Sequence, residues 1–323
     1  MASDPTPLDE SSTPAAFVPP RCATLKMSSR CNLRCTFCAE RPHFQRFRPL
    51  EEQPLLDRAL LRLRQQGYDG VSFDGGEPTS SALLGWAVRR ARQLGFRSVG
   101  MVTNGVNFSD AERLQHLVDR GLNAVCLSFH TWDARSSQAL LGRDVFDQQR
   151  HALDNLARAP EVSVTMQTVL LAQNQAHLPE ILAQAIGRAD AVNVLYCRSH
   201  WSGLLPSLPA FADLDDGRVL AQLVRFQQEN PALPLGLRHF PFCIVPEPLR
   251  EGAVVTTPEG KAPNALLCPR CEDREACTFP LLSYLWQRRR GRALVATGLR
   301  RLVAPHALSR CLGARPRVGR RGP

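Results

Sequence analysis

The chain has 323 residues, 44% hydrophobic and 22% charged, a size and balance suited to one large α/β domain with a smaller appendage. No apolar run reaches the roughly 18 residues of a bilayer span, and the first twenty residues lack the basic and apolar regions of a secretory signal, so the cytoplasm is the expected compartment. The formal net charge of +10 says little about nucleic acid, because eleven arginines and no acid fall between Gln287 and Pro323, leaving the rest of the chain close to neutral.

Residues 1–20 hold five prolines among Ser, Thr and Ala and read as a disordered leader. From Cys22 onward short apolar runs alternate with helical patterns. Strands are expected at 22–29, 70–76, 96–105, 123–130, 162–171 and 191–199. Helices are expected between them, at about 54–67, 81–94, 144–158 and 177–188, with one opening at Ser109 as N-cap and Glu112 three residues on. This rhythm predicts a parallel sheet, since each helix must carry the chain back to the same edge. Six strands are too few to close an eight-fold barrel. The fold class expected is therefore α/β, an open (β/α)6 partial barrel of the TIM type or a doubly wound sheet over 21–205, with its chemistry at the carboxyl ends of the strands. A proline-punctuated, loop-rich module follows at 206–286, with one helix near 216–229, and then a basic tail at 287–323.

Seven of the eleven cysteines fall into two groups, Cys31, Cys35 and Cys38, and Cys243, Cys268, Cys271 and Cys277. In a chain without an export signal such clustering points to metal rather than to disulfides. The first group follows the first strand directly as C-x3-C-x2-C. Zinc knuckles pair cysteines two apart and need a fourth ligand, for which His43 is the nearest candidate. Three thiolates on a cubane would instead leave one iron open to a small molecule; zinc or chance clustering is the bland alternative.

With Asn32 and Leu33 after the first cysteine and Phe37 before the last, this segment resembles the signature of the radical S-adenosylmethionine (radical SAM) superfamily. The resemblance covers about residues 22–200. It implies a [4Fe–4S] cluster on Cys31, Cys35 and Cys38 whose open iron binds S-adenosylmethionine, and reductive cleavage to a 5′-deoxyadenosyl radical that abstracts a substrate hydrogen. It also implies a low-potential electron donor such as flavodoxin or ferredoxin. Gly75, Gly76, Glu77 and Pro78 are similar to the superfamily's GGEP turn, which implies contact with the methionine amino group. Asn104, in a T-N-G turn, and Ser128, near the end of the fourth strand, are further cofactor-binding candidates. His130 shares the face of Ser128 by strand periodicity, and a structural role suits it better than a catalytic one. The adenine-contacting pattern of many relatives is missing from the fifth strand, where Gln167 and Val169 share one face and Met166, Thr168 and Leu170 the other; Asn174 follows that strand as in some relatives. No catalytic acid or base is assigned.

The second group resembles part of the SPASM or twitch extension of such enzymes, although position 281 is Leu281 where the full pattern carries another cysteine. One auxiliary [4Fe–4S] cluster is expected, with Cys243 as fourth ligand to Cys268, Cys271 and Cys277, Cys311 as the competitor and zinc as the alternative. Such a cluster favours oxidative modification of a peptide or small metabolite. RNA modification, suggested only by the arginine tail, and a non-catalytic iron–sulfur or zinc assembly protein are the competing readings. A cofactor cradle at the glycine turn speaks against the last.

Overall fold

The computed structural model describes residues 21–38, 49–196, 216–238, 240 and 245–254. The strands are β1 (Cys22–Ser28), β2 (Gly70–Gly75), β3 (Ser98–Thr103), β4 (Ala124–Ser128), β5 (Ser163–Leu170), β6 (Ala191–Tyr196), β7 (Leu235–Arg238) and β8 (Ala253–Val254). They form one sheet in the order of the chain, every neighbouring pair parallel. The expected partial barrel is present, extended by two strands that the sequence reading placed in a loop-rich module. Leu-Gly-Leu-Arg between prolines looks like loop, yet Leu235 and Leu237 bury their side chains while the strand pairs with β6. Tertiary context outweighs the short apolar signal.

The helices are α1 (Gln53–Gln65), α2 (Leu84–Gln93), α3 (Ala111–Val118), α4 (Ala134–Leu141), α5 (Phe146–Ala157), α6 (Leu178–Ala183) and α7 (Asp216–Glu229). Each connects two parallel strands, and the burial follows helical spacing. Leu84, Ala87, Val88 and Ala91 of α2, and Leu114, Leu117 and Val118 of α3, all enter the core. The opposing strand face supplies Val71, Phe73, Val99, Met101, Val125, Leu127, Val164 and Met166. Each large side chain fully buried there contributes roughly 1.5–3 kcal/mol.

Helix α3 starts one residue later than its sequence suggests. Asp110, not Ser109, is the N-cap, its carboxylate accepting from the backbone N–H groups of Glu112 and Arg113 at 3.0 and 3.4 Å. A charged acceptor at a helix N-terminus outcompetes a hydroxyl, and Ser109 instead closes the 3-10 turn Val106–Ser109 by donating to the Val106 carbonyl. Helix α4 carries no clear period in the sequence. This two-turn helix is set by a capping box between Asp133 and Ser136 and by Gly142, left-handed at φ 76°.

Among the described residues no helix is long and apolar enough to cross a membrane. The leader, the tail and Cys197, Cys243, Cys268, Cys271, Cys277 and Cys311 lie outside the described residues.

Candidate metal and cofactor site

The three-cysteine loop leaves β1 at its carboxyl end and is held from two sides. On one side the glycine turn of β2 lies against it. Gly76 N–H donates to the Ser28 carbonyl and Glu77 N–H to the Arg30 carbonyl, both at 2.7 Å. The approach is too close for side chains, since a Cβ on Gly75 would lie 2.3 Å from the Ser28 oxygen and one on Gly76 2.1 Å from the Arg30 oxygen. Gly75 also has φ +133°, which L residues avoid. On the other side Arg34 and Thr36 N–H groups donate to the Leu141 and Leu140 carbonyls at the end of α4, each at 2.9 Å. Leu33 and Phe37 then bury themselves against Val106, Leu140, Leu141, Val145 and Leu171, a small core separate from the main one.

This double attachment leaves Cys31 exposed and Cys35 and Cys38 half-buried. Among the described residues no three His, Cys, Asp or Glu side chains converge on a single metal ion. Three thiolates without a fourth protein ligand suit a cubane with one open iron, whereas a structural zinc takes four protein ligands.

Glu77 is 1% exposed and fully committed. Its Oε1 accepts from Thr79 N–H at 3.1 Å, Thr79 Oγ1 at 2.7 Å and Thr103 Oγ1 at 2.8 Å, and its Oε2 from Asn104 N–H at 2.8 Å. Burial raises its pKa against these bonds, which all favour the carboxylate. The side chain thus ties the ends of β2 and β3 together. The same turn continues through buried Pro78 into the 3-10 turn Pro78–Ser80.

Asn104 takes the next position outward. Its Nδ2 donates to Asn32 Oδ1 at 2.7 Å and lies 3.9 Å from Cys31 Sγ, while its Oδ1 accepts from Val106 N–H at 3.1 Å. Its carbonyl accepts from Gln149 Nε2 at 2.8 Å, and the same amide donates to the Ser128 carbonyl at 3.0 Å. Ser128 Oγ in turn accepts from Gln167 Nε2 at 3.0 Å. Asn32, Asn104, Gln149, Ser128 and Gln167 therefore form a chain of amides and hydroxyl that links the cysteine loop to the ends of β3, β4 and β5.

Gln149 was not singled out by the sequence, although a signal was available. It interrupts the apolar stripe Phe146, Ala152, Leu153 and Leu156 of α5 and is 0% exposed; its Oε1 has no partner.

His130 is buried and serves structure. Its Nδ1 accepts from Val169 N–H at 3.1 Å, which places the proton on Nε2, and its ring meets Phe37 edge-on with centroids 5.0 Å apart. Burial lowers its pKa to about 4, so the ring is neutral at pH 7. Asn174 braces the same corner, its Nδ2 donating to the His130 and Val169 carbonyls.

The sheet face opposite the main core is polar. It carries the Lys26–Asp74 ion pair at 2.7 Å, and Cys126, Ser128, Gln167, Asn193 and Arg238 through the paired registers. Met166, Thr168 and Leu170 share one face, as expected, and the structure turns that face to the helices, each side chain 0% exposed.

Comparison with known proteins agrees with this geometry. The sequence profile of the Radical SAM superfamily matches residues 25–185, about half of the chain. The GTP 3′,8-cyclase of Chlorobaculum tepidum is 32% identical over 152 residues, covering 46% of this chain and 44% of its own. The PqqA peptide cyclase of Bradyrhizobium diazoefficiens is 26% identical over 218 residues, covering 66% and 57%. This chain thus spans about half the length of these relatives. Among solved structures, Streptococcus suis SuiB bound to its precursor peptide SuiA superimposes with a TM-score of 0.56 at 20% identity, over 68% of this chain and 49% of that one, a likeness of fold.

Proposed function

Because the chain belongs to the radical SAM superfamily, we propose that it binds a [4Fe–4S] cluster through Cys31, Cys35 and Cys38 and uses S-adenosylmethionine to modify a peptide oxidatively. The observation that carries this reading is the C-x3-C-x2-C loop fastened by backbone bonds to the Gly75–Gly76–Glu77 turn. When bound, the cluster and S-adenosylmethionine supply a one-electron reductive cleavage that yields methionine and a 5′-deoxyadenosyl radical able to take a substrate hydrogen.

The protein's own part is positional. Gly75 and Gly76 keep side chains out of the space beside the loop, and Glu77 fixes the turn by saturating four donors. Asn104 offers an amide N–H to the Cys31 sulfur, and hydrogen bonds to cluster sulfurs tune the reduction potential. Ser128 and Gln167 present polar groups at the mouth of the sheet. A low-potential flavodoxin or ferredoxin would deliver the electron in a reducing compartment such as the cytoplasm.

In this reading Cys243, Cys268, Cys271 and Cys277 would hold an auxiliary [4Fe–4S] cluster, which would supply a one-electron acceptor for an oxidative modification. A peptide substrate is supported by the peptide-cyclase relative and the peptide-bound fold neighbour; the likeness to a GTP cyclase favours a small metabolite as the second reading.

The test is anaerobic reconstitution with iron and sulfide, reduction with dithionite, and assay of 5′-deoxyadenosine from S-adenosylmethionine. Product is expected from the native sequence and not from Cys35→Ala. Absence of product from protein whose cluster is intact and reduced by electron paramagnetic resonance would overturn the reading.

A further inference from the structure

The charged pair and the longest amide on the interior face of the sheet are already partnered. Lys26 is neutralised by Asp74 at 2.7 Å. Ser128 and Gln167 bond each other. Asn193 lies over Gly236, its Oδ1 standing 2.1 Å from where a Cβ on that glycine would be; a side chain at 236 would push it away.

Arg238 is different. It is the last residue of β7, at the carboxyl end of the strand beside Leu195 of β6, and its neighbours Leu235 and Leu237 take the opposite, helix-covered face. Among the described residues its side chain forms no ion pair or hydrogen bond, and its Nε is buried without a partner. Cys126 shares the interior: its thiol is pushed up to about 12 by burial, with Arg238 drawing it down and Asp74 raising it. Among the described residues the inside of the sheet thus holds one compensated charge pair and one guanidinium without an acid.

We propose that Arg238 is a substrate-recognition residue that receives a carboxylate of the molecule entering the mouth of the sheet. The inference rests on the radical SAM reading for the location of the substrate, not for the chemistry of the contact. A partly buried guanidinium without an acid has lost hydration without gaining a partner. A carboxylate offers the planar, two-oxygen complement to its fork, which a lysine would not match.

Charge selects among anions. A phosphate monoester brings about −1.5 to −2 at pH 7, and a single guanidinium leaves about half or more of a charge uncompensated. A carboxylate brings one charge and is balanced by one guanidinium. Within a peptide that carboxylate belongs either to an acidic side chain or to the free C-terminus.

Phenylglyoxal modification of Arg238, followed by peptide mass spectrometry on the full-length, cluster-loaded protein, tests the assignment, with exposed Arg113 as internal reference. The probes are N-acetylaspartate α-amide, N-acetylalanine, the neutral N-acetylasparagine α-amide, and inorganic phosphate. Modification of Arg238, but not of Arg113, is expected to slow about threefold when a carboxylate probe stands at about twice its dissociation constant. Protection by the aspartate probe identifies a side-chain carboxylate, and by N-acetylalanine a C-terminal one. Equal protection by the asparagine probe, stronger protection by phosphate, or protection by none would overturn the proposal. Assay of 5′-deoxyadenosine on the same preparation separates the two ideas. Product without protection refutes only the role of Arg238, and protection without product refutes only the radical chemistry.

Discussion

The side-chain amide of Asn104 lies 3.9 Å from the sulfur of Cys31 and 2.7 Å from Oδ1 of Asn32. A residue at the end of β3 thereby touches a loop cysteine 73 residues earlier in the chain, and Glu77 and Gln149 hold its backbone from two directions.

Removing that amide should alter the bound cluster more than the fold. With Asn104→Ala the midpoint potential of the reconstituted first cluster is expected to fall, because the N–H···S donor that favours the reduced form is gone. Redox titration followed by electron paramagnetic resonance checks this, and Asn32→Ala, which leaves the Asn104 amide donor in place, should shift it less.

Gly76→Ala places a Cβ against the Arg30 carbonyl, 2.1 Å away. Backbone cannot yield as a flexible side chain can, so a loss of roughly 1–3 kcal/mol or more is expected. Denaturant unfolding gives the cost. Iron analysis after reconstitution should show reduced occupancy of the first cluster, since the displaced segment leads directly into Cys31.

Gln149→Leu keeps the volume and deletes the donor shared by the Asn104 and Ser128 carbonyls. Two acceptors lose a partner while one unpaired Oε1 disappears. The net destabilisation should be roughly 2 kcal/mol, measured by denaturant unfolding.

The neutral state of His130 makes stability depend on pH in a definite direction. The unfolded chain takes up a proton near the ordinary histidine value of 6.5, whereas the folded protein does so only at about 4. Stability from this group is complete above the ordinary value and is lost as pH falls through that window, by about 3 kcal/mol in all. His130→Gln, which still offers an acceptor to Val169 N–H, should flatten the acid side of the stability profile; an unchanged profile would assign the pH dependence elsewhere.

How far the sequence reaches depends on how local the information is. Period-two and period-3.6 patterns act over a dozen residues, and they placed six strands and most helices of the described chain. The cysteine spacing is local too, and it marked the loop that the sheet presents at its carboxyl end. The cap at Asp110 and the short helix α4 were missed because neighbouring acceptors compete by strength and geometry, which composition does not rank. Strands β7 and β8 were missed because a four-residue and a two-residue strand carry almost no period of their own.

The sequence by itself determined the parallel α/β architecture and which residues have thiolate and glycine chemistry to offer at the strand ends. Only the tertiary structure decided what each polar group does there. Glu77 ties β2 to β3 with both carboxylate oxygens bonded, Gln149 joins β3 to β4 from within an apolar stripe, and among the described residues Arg238 stands inside the sheet without an acid. Hydrogen bonds and charge compensation depend on distances between residues far apart in the chain, and the folded sheet sets those distances.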